Sequence, residues 1–462
     1  MSAEPAALTK VLEALSLELG DRLTTAQEPR SEHARDACHH APKAPDAVVF
    51  PENNEEVSRI VEICADAGVP IIPFGTGTGV EGGVVAVHGG VCVDLRRLNR
   101  VLRVSVEDMD ATVQAGVTRM HLNQHLDTLK SGLVFPVDPG ADASLGGMAA
   151  TCASGSSAVR YGTMRDNVLG LTAVLADGRI VHCGGRARKS SSGYDLTRLL
   201  VGSEGTLGVI TEVTLKLAHV PVAISAAVCA FANIESAVNS VIETLQAGVP
   251  MARIELLDEI QMGAVNGYSN LSYKEAPTLF FEFHGSDLSV REQAKTVAEI
   301  TERHGGEQFQ WATEKKERDR LWKARYDGYY AALALREGAV GYVTDVCVPI
   351  SEMAECIRAT KTELETTRIP APLFGHVGDG NFHVVFAIEP DNSKELEEVQ
   401  SLNERIVAHA LARGGTASGE HGIGIGKLQA LHDEHGEAVE VMRTIKRALD
   451  PKNILNPGKV LL

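Results

Sequence analysis

Residues 71–83 read IIPFGTGTGVEGG, and the segment downstream of these glycines decides which fold the chain takes. Upstream, residues 46–50 (DAVVF) have strand character, and Val57, Ile60, Val61 and Cys64 recur at helical spacing before VPIIPF at 69–74. Strand, helix and strand in that order predict a βαβ unit. A Rossmann fingerprint sets its glycines at the mouth of a helix, whereas here Gly82 and Gly83 run on into VVAV and VCVDL, which are strand-like. The loop is therefore not the usual dinucleotide turn. So many glycines let successive backbone N–H groups point inward as a nest, which binds phosphate without a positive charge. A merely flexible turn is the plainer alternative.

Two more stretches repeat the theme. Residues 136–155 read PVDPGADASLGGMAATCASG and residues 202–211 read GSEGTLGVIT, both rich in small residues. Such runs suit close approach of backbone to a flat, extended molecule. Three of them in one half of the chain suggest one long ligand with a pyrophosphate and a planar ring.

This trio, with YGT at 161–163, resembles the FAD-binding half of the vanillyl-alcohol oxidase type of FAD-linked oxidoreductases. The resemblance implies that Pro73, Gly75, Thr76, Gly77, Thr78 and Gly79 cradle the pyrophosphate. It further implies that Asp138, Pro139, Gly140, Ser144, Gly146, Gly147, Ser154 and Gly155, then Glu204, Gly205, Gly208 and Ile210, line the ribityl chain and the isoalloxazine. Members that tether the flavin often use a His in the first loop; none stands between Pro73 and Val87, so noncovalent FAD is expected. The C-terminal segment is implied to return to the flavin, with Asn456 at the ring.

After about residue 222 the pattern changes to alternating apolar strands, such as TLFFEFH, interleaved with amphipathic helices, which reads as an α+β domain with a mostly antiparallel sheet. The expected architecture is a two-domain α+β FAD-binding fold. Its expected parts are a helical segment at 1–45, the FAD-binding domain at 46–222, and a substrate and metal domain at 223–462 whose last part, from about 420, returns to the flavin domain.

The second half also holds GHVGDGNFH at 375–383. In an extended strand His376 and His383 would lie roughly 23 Å apart. AspGly at 379–380 is a two-residue hairpin signal, and a turn centred there pairs His376 with His383 on one face. Directly opposed Cβ atoms lie about 4.5–5.5 Å apart, close enough for two imidazoles on one ion. Glu420, in SGEHGIG at 418–424, offers a third ligand, and two His plus a carboxylate leave positions open for substrate. Such a pair is also commonly bonded to carbonyls or water, and Asp379 and Asn381 are read as turn formers.

A helix is predicted over 315–335, with Trp322, Arg325 and Tyr329 on one face. Arg325 is either a surface residue beside core aromatics or a carboxylate clamp. LWKAR, GHVGDGNFH and SGEHGIG together resemble the D-lactate and D-2-hydroxyacid dehydrogenase branch of the family, which favours the clamp. The resemblance implies a carboxylate on Arg325, a divalent ion on His376, His383 and Glu420 (Zn²⁺, with Mn²⁺ or Fe²⁺ also compatible), His421 as base, and hydride transfer from C2 to flavin N5. D-2-hydroxyglutarate dehydrogenases bind a distal carboxylate with polar groups at positions that align with Tyr329, Val343 and Val385. Apolar or bulky residues there favour a monocarboxylic substrate, D-lactate or a longer aliphatic D-2-hydroxy acid. Trp322, Tyr329 and Val343 are the expected walls of its pocket. The alternatives are a subunit of a glycolate-oxidising complex, a D-2-hydroxyglutarate dehydrogenase or, outside the class, a metallohydrolase.

Composition bounds the partners. The 462 residues carry a formal charge of −17, with 44% hydrophobic and 23% charged residues, which describes a globular protein and argues against nucleic acid. Eight cysteines without a CxxC pair point to reduced thiols. Leu8, Val11, Leu12, Leu15 and Leu19 form a helical stripe with Glu13 and Glu18 between them, unlike a transit peptide, so a cytoplasmic location is expected, with loose membrane attachment left open. No apolar run reaches a membrane span. The expected partners are a small 2-hydroxy acid and an electron acceptor, whether quinone, cytochrome or flavoprotein; a homodimer is compatible.

Overall fold

The computed structural model describes residues 4–461. The chain forms two compact units. The first runs to Ser154 and adds Gly162–Val220 and the chain from Glu420 onward; the second holds Gly155–Tyr161 and Pro221–Gly419.

In the first unit, β1 (Leu23–Thr24), β2 (Ala47–Val49), β3 (Ile71–Phe74) and β4 (Val91–Asp94) form a sheet in the order β1-β2-β4-β3. β2, β4 and β3 are parallel, with β4 between the two strands of the βαβ unit. The crossover helix Asn54–Ala67 starts where Asn53 Oδ1 accepts the Glu56 N–H at 2.9 Å and stops at Gly68, whose φ of +66° suits glycine. Its buried face is Val57, Ile60, Val61 and Cys64, as the spacing predicts. Against that face lie Val11, Leu15 and Leu19 of the N-terminal helix Pro5–Leu19, so this helix belongs to the first unit and is not a separate segment. Full burial of each such side chain contributes about 1.5–3 kcal/mol.

A second sheet of the same unit has the order β5-β6-β10-β8-β9. Its strands are β5 (Val101–Ser105), β6 (Asp110–Gln114), β8 (Val168–Val174), β9 (Ile180–Gly184) and β10 (Val209–Lys216), while β7 (Leu133–Val134) pairs with β11 (Ala218–His219). The helix Leu145–Thr151 packs on it through Leu145, Met148 and Ala149.

The second unit is built on eight strands: β12 (Ala223–Ala230), β13 (Met251–Leu257), β14 (Thr278–Gly285), β15 (Glu307–Ala312), β16 (Val340–Val343), β17 (Val346–Cys347), β18 (Leu373–Gly375) and β19 (Asn381–Ile388). The order is β15-β12-β14-β13-β18-β19-β16, with β17 also on β19, and every pairing is antiparallel, as expected. One cluster joins Phe280, Trp322, Phe374 and Val385.

Two local expectations change. The helix expected over 315–335 is two helices, Lys315–Tyr326 and Gly328–Ala334, meeting at Asp327. Glycine holds a helix poorly, and the Gly328 carbonyl accepts Gln261 Nε2 at 2.9 Å. The hairpin at 375–383 exists, but its register differs. Phe374, not His376, opposes His383, and the His376 carbonyl accepts the N–H groups of Asp379 and Asn381 at 3.1 and 3.2 Å. The turn therefore takes four residues, 377–380. AspGly closes it instead of centring it, because the residue needing a positive φ is Gly380, at +87°, after a turn already closed at Asp379. A Cβ on Gly380 would lie 2.1 Å from the Val348 carbonyl oxygen.

Candidate active site

Within the first unit the three small-residue loops surround one groove. Pro73, Gly75, Thr76, Gly77, Thr78 and Gly79 line it, with Pro139, Ser144, Gly146, Gly147, Ser154, Glu204, Gly205, Gly208, Ile210 and Asn456. The loops touch each other closely: a Cβ on Gly75 would lie 2.2 Å from Ser144 Oγ, and one on Gly205 would lie 2.9 Å from Pro73 Cγ. Thr76 Oγ1 accepts the Ser144 N–H at 3.3 Å. Among the described residues the N–H groups of Thr76 to Val80 meet no acceptor within the protein. A row of available donors beside glycines suits a pyrophosphate. Asp36 adds a buried oxygen, Oδ1, without a partner, an acceptor for a sugar or ribityl hydroxyl. The groove thus fits FAD on its own chemistry.

Three expected groove residues lie elsewhere. Asp138 accepts the N–H of Gly140 at 3.1 Å and pairs with Arg119 at 3.2 Å, so both Asp138 and Gly140 form a turn beside the groove and do not line it. Gly155 leaves with the short segment of the second unit. Two residues that do line the groove are engaged in holding the protein together. Glu204, held at φ +50°, accepts the N–H groups of Ile423 and Gly424 at 2.7 and 2.9 Å; burial pushes its carboxyl above the usual range. Asn456 donates to the carbonyls of Gly83 and Glu204 and accepts from Lys459 Nζ at 2.8 Å, stapling the first loop to the third.

The segment so held carries Glu420 and His421, and both line the groove. His421 Nε2 lies 3.9 Å from Glu420 Oε1. Glu81 fastens the far side of the segment through an N–H···O bond from Ile425 at 2.9 Å and a buried ion pair with Lys427 at 3.0 Å. A candidate base and a candidate ligand are thereby placed beside the flavin groove by backbone hydrogen bonds.

In the second unit His376 and His383 are diagonal neighbours on one face of the β18–β19 hairpin, because the two-residue shift in register preserves the face. Their ring centroids are 5.6 Å apart and both rings are buried. His383 Nδ1 lies 3.0 Å from the Thr344 carbonyl and His376 Nδ1 lies 2.6 Å from Glu255 Oε1. Both partners only accept, so the protons sit on Nδ1 and the Nε2 atoms are the ones each ring would turn to a metal ion. The residues fit a divalent ion. Asn381 braces the turn by donating to Asp345 Oδ1 and the Val346 carbonyl at 2.8 and 2.9 Å, and Ser418 Oγ donates to Asp345 Oδ2 at 2.9 Å.

Arg325 Nε donates to Glu255 Oε2 at 2.5 Å, and its guanidinium lies 4.9 Å above the Phe374 ring. Among the described residues its two terminal nitrogens meet no acceptor, which leaves them for a carboxylate. Trp322, Tyr329 and Val343 share one apolar cluster with Phe374 and Val385, and Val343 pairs directly with Val385. Burial alone would raise the Glu255 carboxyl pKa; His376 and Arg325 more than offset it and hold the carboxyl below the usual range.

The family models decide what these features belong to. Residues 45–184 match the FAD binding domain, and residues 220–460 match the C-terminal domain of FAD linked oxidases. The chain is a member of the FAD-linked oxidase family. Among its relatives is the probable mitochondrial D-lactate dehydrogenase of Danio rerio, 53% identical over 100% of this chain and 93% of that protein. The mitochondrial D-lactate dehydrogenase [cytochrome] of Arabidopsis thaliana is 45% identical over 98% of this chain and 80% of that protein. The fold matches p-cresol methylhydroxylase, a vanillyl-alcohol oxidase-type flavoprotein, with a TM-score of 0.80 at 16% identity, covering 97% of that chain and 99% of this one. This FAD-linked oxidoreductase thus has the expected two-domain fold. Both sequence relatives are mitochondrial by name, so they lend no support to a cytoplasmic location; no described helix is long and apolar enough to cross a membrane.

Sequence reasoning missed Glu255, Asp345, Asp36 and Lys459. Glu255 did leave a signal: it is the one acid in the strand Met251–Leu257, MARIELL, and a carboxylate among core residues requires a partner.

Proposed function

We propose that this FAD-linked oxidoreductase oxidises D-2-hydroxy monocarboxylic acids, D-lactate or a longer aliphatic acid, to 2-oxo acids. The observation that carries the reading is Arg325, whose terminal nitrogens meet no acceptor among the described residues, on a unit where Trp322, Tyr329, Val343 and Val385 share one apolar cluster. One clamp serves one carboxylate. A second one against that wall would face the aliphatic Val343 and Val385 and only the neutral donors Trp322 Nε1 and the Tyr329 hydroxyl. With no counter-charge it would recover little of the hydration it loses, a cost of several kcal/mol, on the order of what a poorly compensated polar group loses in a dry site. The names of the relatives support the same substrate class.

In this reading Arg325 binds the carboxylate in two parallel charge-assisted bonds. His376 and His383 present Nε2, and Glu420 an oxygen, to a divalent ion, Zn²⁺ or Mn²⁺. His421 takes the hydroxyl proton. When bound, the ion would supply Lewis acidity that lowers the hydroxyl pKa, and noncovalent FAD would supply the acceptor for the C2 hydride. Glu204 and Glu81 keep the segment bearing His421 in place, and the apolar wall excludes water from the substrate tail. The Arabidopsis relative's name supports a cytochrome as the electron acceptor.

The test is anaerobic bleaching of the flavin by a panel of D- and L-2-hydroxy acids, with and without a chelator. Fast bleaching by D-lactate that the chelator abolishes is expected. Faster reduction by L-isomers, or a preference for D-2-hydroxyglutarate, would overturn the assignment.

A further inference from the structure

Glu255 has no exposed surface and sits on β13 among apolar neighbours, where an unpartnered carboxylate would be strongly disfavoured. Its two oxygens are committed to two different side chains. Oε1 takes the His376 Nδ1 proton at 2.6 Å, and Oε2 takes the Arg325 Nε proton at 2.5 Å. We propose that Glu255 is a positioning residue that holds the substrate clamp Arg325 and the metal ligand His376 in one shared geometry, so that carboxylate binding and metal binding depend on the same carboxylate. The inference rests on the function proposed above and deepens it.

The chemistry requires a carboxylate. Both neighbours donate, so the residue between them must accept at both ends. With Nε saturated and Phe374 beneath the guanidinium, Arg325 has only its terminal nitrogens to offer a ligand. With its proton fixed on Nδ1, His376 has only Nε2 to offer. Glutamine is nearly the same shape but accepts at one end and donates at the other. If its oxygen keeps Arg325, its amide N–H faces Nδ1 and drives the imidazole proton to Nε2, where it blocks coordination. If its oxygen keeps His376, two donors meet at Arg325 and the clamp loses its orientation.

The test uses the full-length, FAD-loaded protein, titrated with Zn²⁺ in competition with a chromophoric chelator and assayed for its KM for D-lactate. Glu255→Gln is expected to bind Zn²⁺ about 10–100-fold more weakly and also to raise KM. Arg325→Ala should raise KM while leaving Zn²⁺ affinity unchanged, and His376→Ala should lose Zn²⁺ binding. If Glu255→Gln does not fold, judged by flavin content and melting, Glu255→Asp answers instead: the shorter carboxylate keeps the charge but reaches one partner, so one of the two readouts falls. Wild-type protein that binds no Zn²⁺, or His376→Ala that binds it normally, sinks the underlying metal reading. Zn²⁺ binding lost in His376→Ala but intact, with unchanged KM, in the Glu255 variants overturns the inference alone.

Discussion

The carboxylate of Glu204 accepts the backbone N–H of Ile423 at 2.7 Å, a bond between residues 219 positions apart. With a second bond, to Gly424, it anchors the segment that carries Glu420 and His421. Hydrogen bonds to a charged group are worth about 1.5–3 kcal/mol each. Glu204→Ala, which removes both bonds, should therefore lower the unfolding free energy by about 3–6 kcal/mol, and Glu204→Gln, which keeps one acceptor, by less. Urea unfolding with an unshifted midpoint would show that the anchor is idle.

Gly146 lies in the first turn of the helix that supports the middle loop. A Cβ there would lie 2.4 Å from Ala115 Cβ and 3.0 Å from its carbonyl oxygen, neither of which can rotate away. Gly146→Ala should cost about 1–3 kcal/mol by overpacking and lower the flavin content of the purified protein. A variant as yellow and as stable as wild type would contradict the close contact.

Lys459 is buried, and burial lowers its pKa to about 8 from the ordinary 10.5. Below about pH 8 the ammonium is charged in folded and unfolded chains alike; between the two values the folded chain releases its proton first. The unfolded state then binds more protons, so stability rises with pH across that window. Lys459→Met should remove this rise. The measurement is urea stability of both proteins from about pH 7 to 10, and parallel curves would rule out the shifted lysine.

His421→Ala should keep FAD and lose roughly 10²–10⁴-fold in turnover, the usual contribution of a positioned base. The defect should shrink at alkaline pH, where solvent hydroxide replaces the missing acceptor. Flavin loss on purification would instead make His421 part of the cofactor site.

Adding a chelator should abolish D-lactate oxidation and leave the flavin spectrum in place, with Zn²⁺ or Mn²⁺ restoring turnover. Full activity in the metal-free protein, verified by elemental analysis, would exclude the His376 and His383 pair from the reaction.

Much of the fold was legible because its signals are local. The stripe of Val57, Ile60, Val61 and Cys64 and the glycines that run on into a strand need only neighbouring residues to be read. The alternating strands after residue 222 are legible in the same way. The hairpin at 380 was legible as a turn but not in its register, because AspGly serves equally at the centre of a two-residue turn or at the end of a four-residue one. The choice is made by the Val348 carbonyl pressed against Gly380. Asp138 looked like a groove residue by motif, yet Arg119 claims it.

By itself the sequence determined the flavin fold and the residue types at the groove. Those features come from backbone freedom at glycine and from charge, which are properties of a residue and its neighbours. The tertiary structure alone decided that Glu255 serves Arg325 and His376 together, and that Glu204, at the edge of the groove, also holds the segment behind His421. A buried carboxylate takes whichever donors the fold brings to it, and those donors lie 70 and 121 residues away from Glu255, and 219 from Glu204.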